Sequence, residues 1–222
     1  MKHQISSPSW MLLKSRTIVS IVLLGTLLGC SGGPTAVEIP SFDPEGAAEQ
    51  ALATYDTDKD GFVAGEELEM APGLNAAIKN FDIDGDGKVS RQEVAERVRT
   101  WEKMSIGLMN LNCSVTLDGQ PLENATVTFD PEEFLGGATQ QAIDTTSSLG
   151  TASPKIPKEK RPSPDAPPGI QAGLYKVRIS KMVAGKETIP AQYNVETILG
   201  QQVSKDDIAI ANKRVIFTLK SK

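Results

Sequence analysis

Two stretches of this chain crowd like charges more closely than a polypeptide tolerates without compensation. "DTDKDGFVAGEE", residues 56–67, sets carboxylates at Asp56, Asp58 and Asp60, and "DIDGDGKVSRQE", residues 82–93, repeats the pattern at Asp82, Asp84 and Asp86. In each, a glycine follows directly (Gly61, Gly87) and a glutamate closes the stretch (Glu67, Glu93). The repulsion has to be offset by a cation, and the spacing says which. Calcium takes about six to eight hard oxygen ligands and accepts irregular geometry. A chain supplies them most compactly by curling round the ion, with alternate side chains inward and a bidentate glutamate on the far side. That arrangement needs acids at positions 1, 3, 5 and 12, glycine at 6 for the sharp turn, and a backbone carbonyl at 7. The carbonyls fall to Phe62 and Lys88. Ser90 holds position 9 of the second stretch, where its side chain or a water it carries completes the shell. Ala64 stands there in the first, leaving water alone, so the first site is expected to be the weaker.

Both stretches resemble EF-hand loops at every motif position except the ninth of the first. The resemblance implies two bound calcium ions. Val63 and Val89 occupy position 8, where paired loops of that family join through a short two-stranded bridge. Helix-like sequence flanks each loop: "PEGAAEQALATY", "EELEMA", "LNAAIKNF" and "RQEVAERVRTWEKM". Pro44 suits a first helical turn, and Pro72-Gly73 stops one helix before the next begins. Only fourteen residues separate Glu67 from Asp82, fewer than in calmodulin-like pairs. The helix leaving the first loop and the helix entering the second must both be short, which argues against a deep target groove and for a structural or buffering module.

The N-terminus supplies the location. "LLKSRTIVSIVLLGTLLGC" has a basic start and an apolar run from Ile18 to Leu28. The run is shorter than the roughly 20 residues a transmembrane helix needs, and suits the apolar part of a secretory signal. Its ending, "LLGC", resembles the lipobox of bacterial lipoproteins. That resemblance implies a signal peptide over 1–29, cleavage after Gly29, and acyl chains, palmitate among them, on Cys30. Ser31 resembles the residue that permits outward sorting, placing the protein in the cell envelope, at the outer membrane or cell surface. An ordinary signal peptide with Cys30 merely nearby is the competing reading, and translation from Met11 gives a more typical signal. Outside the cytoplasm calcium is abundant, and loops of this kind there bind at about 0.1–1 mM. Such a site is filled most of the time and braces the fold.

Loss of residues 1–29 takes Lys2, Lys14 and Arg16 and no acid, so the net charge moves from −5 to −8. That balance argues against nucleic acid and anionic membrane as partners, because phosphate binding needs excess Lys and Arg; the membrane contact expected is the lipid alone. The one histidine, His3, lies in the segment to be removed. Ser–His triads and His-ligated zinc are thereby excluded from the mature chain. Cys113 has no partner once Cys30 is acylated and is expected to pack as a small apolar residue.

The organisation expected is a flexible tether over 30–43, "SGGPTAVEIPSFDPEG" being rich in Gly, Pro and Ser, then the helical calcium-binding pair over 44–104. From Leu111 the pattern turns to period two: Val115 and Leu117, Val127 and Phe129, Val177 and Ile179, then Val215, Phe217 and Leu219. Residues 111–222 therefore read as an antiparallel β-sandwich, and the chain as a two-domain α+β protein. Residues 151–169, with six prolines and four bases, read as an exposed loop, a recognition segment for an acidic partner being the alternative. Asp118, Gly119, Pro121, Ala125, Val127 and Phe129, then Gly173, Tyr175, Val177, Pro190, Tyr193 and Asn194, resemble the carboxypeptidase-regulatory-like domain. The resemblance implies a transthyretin-like sandwich that is not itself a hydrolase but a binding or spacer module. No nucleophile–base pair and no phosphate loop stands in residues 111–222, so no enzyme is expected there. Tyr175 and Tyr193 are candidates for ligand contact or, more commonly, half-buried sandwich tyrosines. The function expected is a non-enzymatic, lipid-anchored envelope protein with an unidentified envelope or extracellular partner; a calcium-responsive adhesion or assembly factor is the alternative.

Overall fold

A computed structural model describes residues 37–213 and 215–222. The signal segment, Cys30 and the first part of the expected tether lie outside the described residues. Helix α1 (Pro44–Tyr55) opens on Asp43, whose carboxylate accepts from the Gly46 N–H at 3.0 Å, with Pro44 in the first turn where no N–H is needed. Its buried face is Ala47, Ala48 and Ala51, small side chains that let a second helix lie close, with Tyr55 at its end. Then come short pieces: β1 (Phe62–Val63), α2 (Glu66–Glu69), α3 (Pro72–Ala76), α4 (Ile78–Phe81) and β2 (Val89–Ser90). The shortness expected from the loop spacing is present. Helix α5 (Arg91–Met104) starts on a capping box between Ser90 and Glu93 and packs along α1, burying Val94, Ala95, Val98 and Trp101.

The rest is β. Strand β3 (Cys113–Leu117) turns at Asp118-Gly119 into β4 (Gln120–Pro121), and β5 (Thr126–Pro131), β6 (Ala142–Thr145), β7 (Thr151–Ala152) and β8 (Gly173–Ser180) follow. A small hairpin of β9 (Met182–Val183) and β10 (Lys186–Glu187) precedes β11 (Gly200–Val203), α6 (Ile208–Ala211) and β12 (Val215–Leu219). One sheet runs β11-β8-β5-β6, all antiparallel. The other runs β12-β3-β4 with β7 also on β3, and in it β12 lies parallel to β3. Val127, Phe129, Val177 and Ile179 of the first sheet meet Cys113, Val115, Val215 and Phe217 of the second in one apolar layer, Phe129 and Phe217 edge to face at 6.2 Å. The period-two residues are the ones that point inward. The architecture is α+β in two parts, a small helical region and then a sandwich-like pair of sheets.

Three findings depart from the expectations. The described end of the tether is held down: Pro40 and Phe42 are buried, and the Phe42 ring lies 5.8 Å from that of Trp101. Residues 151–169 are not all exposed loop. Ala152, Pro154 and Ile156 are buried in alternation, Ile143 and Lys155 exchange backbone hydrogen bonds, and Ile156 donates to Gly169 at 2.9 Å. A proline fits there because its ring nitrogen falls at a position with no ladder bond to make. Tyr175 and Tyr193 are buried rather than half-buried. The Tyr175 hydroxyl donates to the Gln171 carbonyl at 2.9 Å, and that of Tyr193 accepts from the Lys220 N–H at 3.2 Å. Burial pushes the Tyr175 phenol well above its ordinary pKa. Neither ring is presented to a ligand.

The described residues form one compact unit, and the helical part is fastened to the β part at depth. The helical core includes Phe134, Leu135, Ala172 and Leu174 of the sandwich region, and Met109 packs against both cores. Helix α3 sits against β11 so tightly that a Cβ on Gly200 would lie 1.9 Å from the Pro72 carbonyl oxygen. Two buried charges cross the joint. Arg97 of α5 donates through Nε to Gln202 at 2.9 Å and forks onto both oxygens of Asp206 at 2.7 and 2.8 Å. Desolvation raises the Asp206 pKa, but the Arg97 and Ser204 hydrogen bonds and the Arg97 charge together outweigh it and hold the carboxyl below its ordinary value. The second charge, Glu132, is taken up below.

Candidate metal centre

Each acidic stretch folds back on itself around its aspartates. One carboxylate oxygen from each of Asp56, Asp58 and Asp60 lies within 4.8 Å of the others, and the same holds for Asp82, Asp84 and Asp86. Backbone N–H groups orient them. Asp56 accepts from Asp60 at 3.2 Å and Gly61 at 3.0 Å; Asp82 accepts from Gly85, Asp86 and Gly87 at 2.7, 3.0 and 2.9 Å. Asp60 and Asp86 accept from the N–H groups of Phe62 and Lys88, the two residues expected to offer carbonyls. Gly61 and Gly87 turn with φ of 93° and 80°, where a side chain is strained. Three clustered carboxylates tied to a tight backbone form a hard, oxygen-only donor set, the chemistry calcium takes and softer metals do not.

The closing glutamates reach across their loops. Glu67 accepts from the N–H groups of Thr57 at 2.7 Å and Ala64 at 3.2 Å, Glu93 from those of Ile83 at 2.8 Å and Ser90 at 2.8 Å. Each glutamate thus joins the second residue of its loop to the ninth. Desolvation raises the Glu67 pKa, but the hydrogen bonds from Thr57, Ala64 and Asp58 together outweigh it and hold the carboxyl below its usual range. Ser90 is a cap: its hydroxyl donates to Glu93 at 2.8 Å and accepts from the Glu93 N–H at 3.3 Å. The two loops meet where position 8 pairs, Val63 opposite Val89 and Phe62 opposite Ser90, with both valines fully buried.

Two features of the site are absent from the sequence-based expectations. Position 4 also needs a positive φ, and it is Gly85 (78°) in the second loop but Lys59 (62°) in the first. A side chain there costs about 1 kcal/mol that the second loop avoids. The signal was in the sequence, as the difference between "DTDKDG" and "DIDGDG". The other is the Lys88 side chain, which crosses to the first loop, 3.6 Å from Asp60 and 4.7 Å from the centre of the Phe62 ring.

Nothing comparable stands elsewhere among the described residues. Cys113 is buried, and desolvation pushes its thiol up to about 12, leaving it an inert apolar group. A groove of about 870 Å³ runs between the end of α2 and the open face of the first sheet, lined by Glu69, Met70, Lys176, Arg178, Val195 and Ile198 among others. Among the described residues no helix is long and apolar enough to cross a membrane. No solved structure matches the chain. A sequence-family model described as EF hand matches residues 74–96, which take in the whole second loop, the short helix α4 before it and the first part of α5 after it. That match and the paired acidic clusters both point to calcium binding.

Proposed function

We propose that this is a non-enzymatic, lipid-anchored cell-envelope protein that binds two calcium ions, one in each loop, with the β-sandwich as a binding or spacer module. The observation carrying the calcium reading is the repetition of one geometry: three aspartates converging within 4.8 Å, twice, in loops joined at Val63 and Val89. The ligands are Asp56, Asp58, Asp60, the Phe62 carbonyl and Glu67 in one loop, and Asp82, Asp84, Asp86, the Lys88 carbonyl, Ser90 (directly or through a water it carries) and Glu93 in the other. The buried joint between helices and sheets favours a brace, because calcium then stiffens a part already continuous with the sandwich. Calorimetric titration of the full chain with calcium is the test. Two sites are expected, one in each of Glu67→Gln and Glu93→Gln, and none in the double variant; an unchanged titration in the double variant refutes the reading.

The anchoring rests on "LLGC" at residues 27–30 and on the short apolar run before it. Cys30→Ala is expected to move the protein from the membrane to the soluble fraction; retention on the membrane refutes the lipid anchor. One observation favours the second reading, calcium-responsive adhesion or assembly. The groove on the sandwich takes one wall, Glu69 and Met70, from the helix that leaves the first calcium loop. A dissociation constant above ambient calcium in the first loop supports that reading over a permanently filled brace.

A further inference from the structure

We propose that Glu132, which is not a metal ligand, is the positioning residue of the first calcium loop: its carboxylate clasps both sides of the loop to the sandwich. The inference rests on the reading that this loop binds calcium. Helix α1 ends at Tyr55, the residue before Asp56, and α3 begins at Pro72, a few residues after Glu67. Glu132, just past the end of β5, is 1% exposed. Its Oε2 accepts from the Tyr55 hydroxyl at 2.6 Å and its Oε1 from the Gly73 N–H at 3.1 Å. The two oxygens of one buried carboxylate therefore hold the element entering the loop and an element beyond its exit.

The surroundings are built for this contact. A Cβ on Gly73 would lie 2.4 Å from Oε1 and 2.9 Å from Leu174 Cγ, so only glycine allows the approach. The Glu132 N–H donates to the Leu174 carbonyl at 2.9 Å, fixing the residue to β8. Phe134 meets the Tyr55 ring edge-on at 6.4 Å. The Lys176 ammonium, 3.6 Å from Oε2, offsets part of the charge. Burying a carboxylate is costly unless every oxygen is met, and here both are. The second loop is held to the sheet through Arg97 of α5 beyond its exit and, at greater distance before its entry, through α3 against β11, and it already has Gly85 and Ser90 in its favour. The first loop, with Ala64 and Lys59 in those places, is the one that needs outside support.

The test is calcium titration of the full chain as wild type, Glu132→Ala, Glu132→Gln, Tyr55→Phe and Glu67→Gln. Glu132→Ala is expected to weaken the first site on the order of 10-fold while the second moves less than about 3-fold, as for a partner that orients ligands from outside the coordination shell. Glu132→Gln is expected to recover most of the affinity, since its amide oxygen still accepts from Gly73 and its NH₂ donates to the Tyr55 oxygen. Tyr55→Phe, which removes one hydroxyl and keeps the ring, is expected to weaken the first site about 5-fold, and it stands in if Glu132→Ala does not fold. A merely structural Glu132 would lower the melting temperature and leave the ratio of the two affinities unchanged. An unaltered first site in Glu132→Ala or Tyr55→Phe, with that site lost in Glu67→Gln, overturns the proposal and leaves the calcium reading standing. A wild-type titration that Glu67→Gln does not change overturns both.

Discussion

Trp101→Ala is expected to lower the unfolding free energy by about 4 kcal/mol, the middle of the range for truncating a buried aromatic. Trp101 is 1% exposed and is the centre of the helical core: Phe42 lies 5.8 Å away, Phe81 6.1 Å away edge-on, and the Arg97 guanidinium stacks 5.9 Å from the ring centre. Phe81 directly precedes Asp82, so the cavity opens behind the second calcium loop, and calcium affinity there is expected to fall with the stability. Trp101→Phe separates packing from polarity. The indole N–H is buried with no partner, so phenylalanine removes an unsatisfied donor along with some volume. Its expected cost is about 1 kcal/mol, because the two effects oppose. Urea denaturation in saturating calcium measures both; a loss below 1 kcal/mol in the alanine variant would show that the helices do not close over this ring.

Trp101 also marks where reading the sequence succeeds and where it stops. The two loops are legible because their chemistry is local: twelve consecutive residues carry each full set of acids and turns, and no distant partner is needed to recognise them. Helix shortness followed from the count between Glu67 and Asp82, and inward strand positions from period two. The joint between the parts was not legible. "FDPEEF" gives no hint that Glu132 is buried while Glu133 is not, since its partners Tyr55 and Gly73 lie 77 and 59 residues away. Arg97 likewise looks like one more surface charge of an amphipathic helix until Gln202 and Asp206 are brought beside it. The parallel pairing of β12 with β3 is of the same kind, a contact between the two ends of the sandwich that no local pattern encodes. The tether misled for the opposite reason. Its composition is that of a linker, but one phenylalanine, Phe42, is enough to bind its end to Trp101.

Chelating calcium from the full chain at neutral pH is expected to lower its melting temperature by roughly 10 °C. With dissociation constants of about 0.1 mM and calcium at about 1 mM, mass action gives about 1.4 kcal/mol per ion and about 3 kcal/mol for two. In a chain of this size each kcal/mol moves the midpoint by about 2–4 °C. The direction follows from the loops themselves. Each holds three carboxylates within 4.8 Å, closer than the roughly 8 Å over which physiological salt screens charge, so raising sodium chloride cannot replace the ion. Magnesium is expected to restore only a small part of the loss, because it demands octahedral geometry at shorter distances and gives up water reluctantly. Glu67→Gln and Glu93→Gln should each remove part of the calcium-dependent shift, the second more than the first. The second loop has Gly85 where the first bears Lys59, and so reaches its bound form with less strain. A melting temperature indifferent to chelator in the wild type would mean that the folded loops hold no calcium, and that hydrogen bonds to the backbone alone keep these carboxylates together.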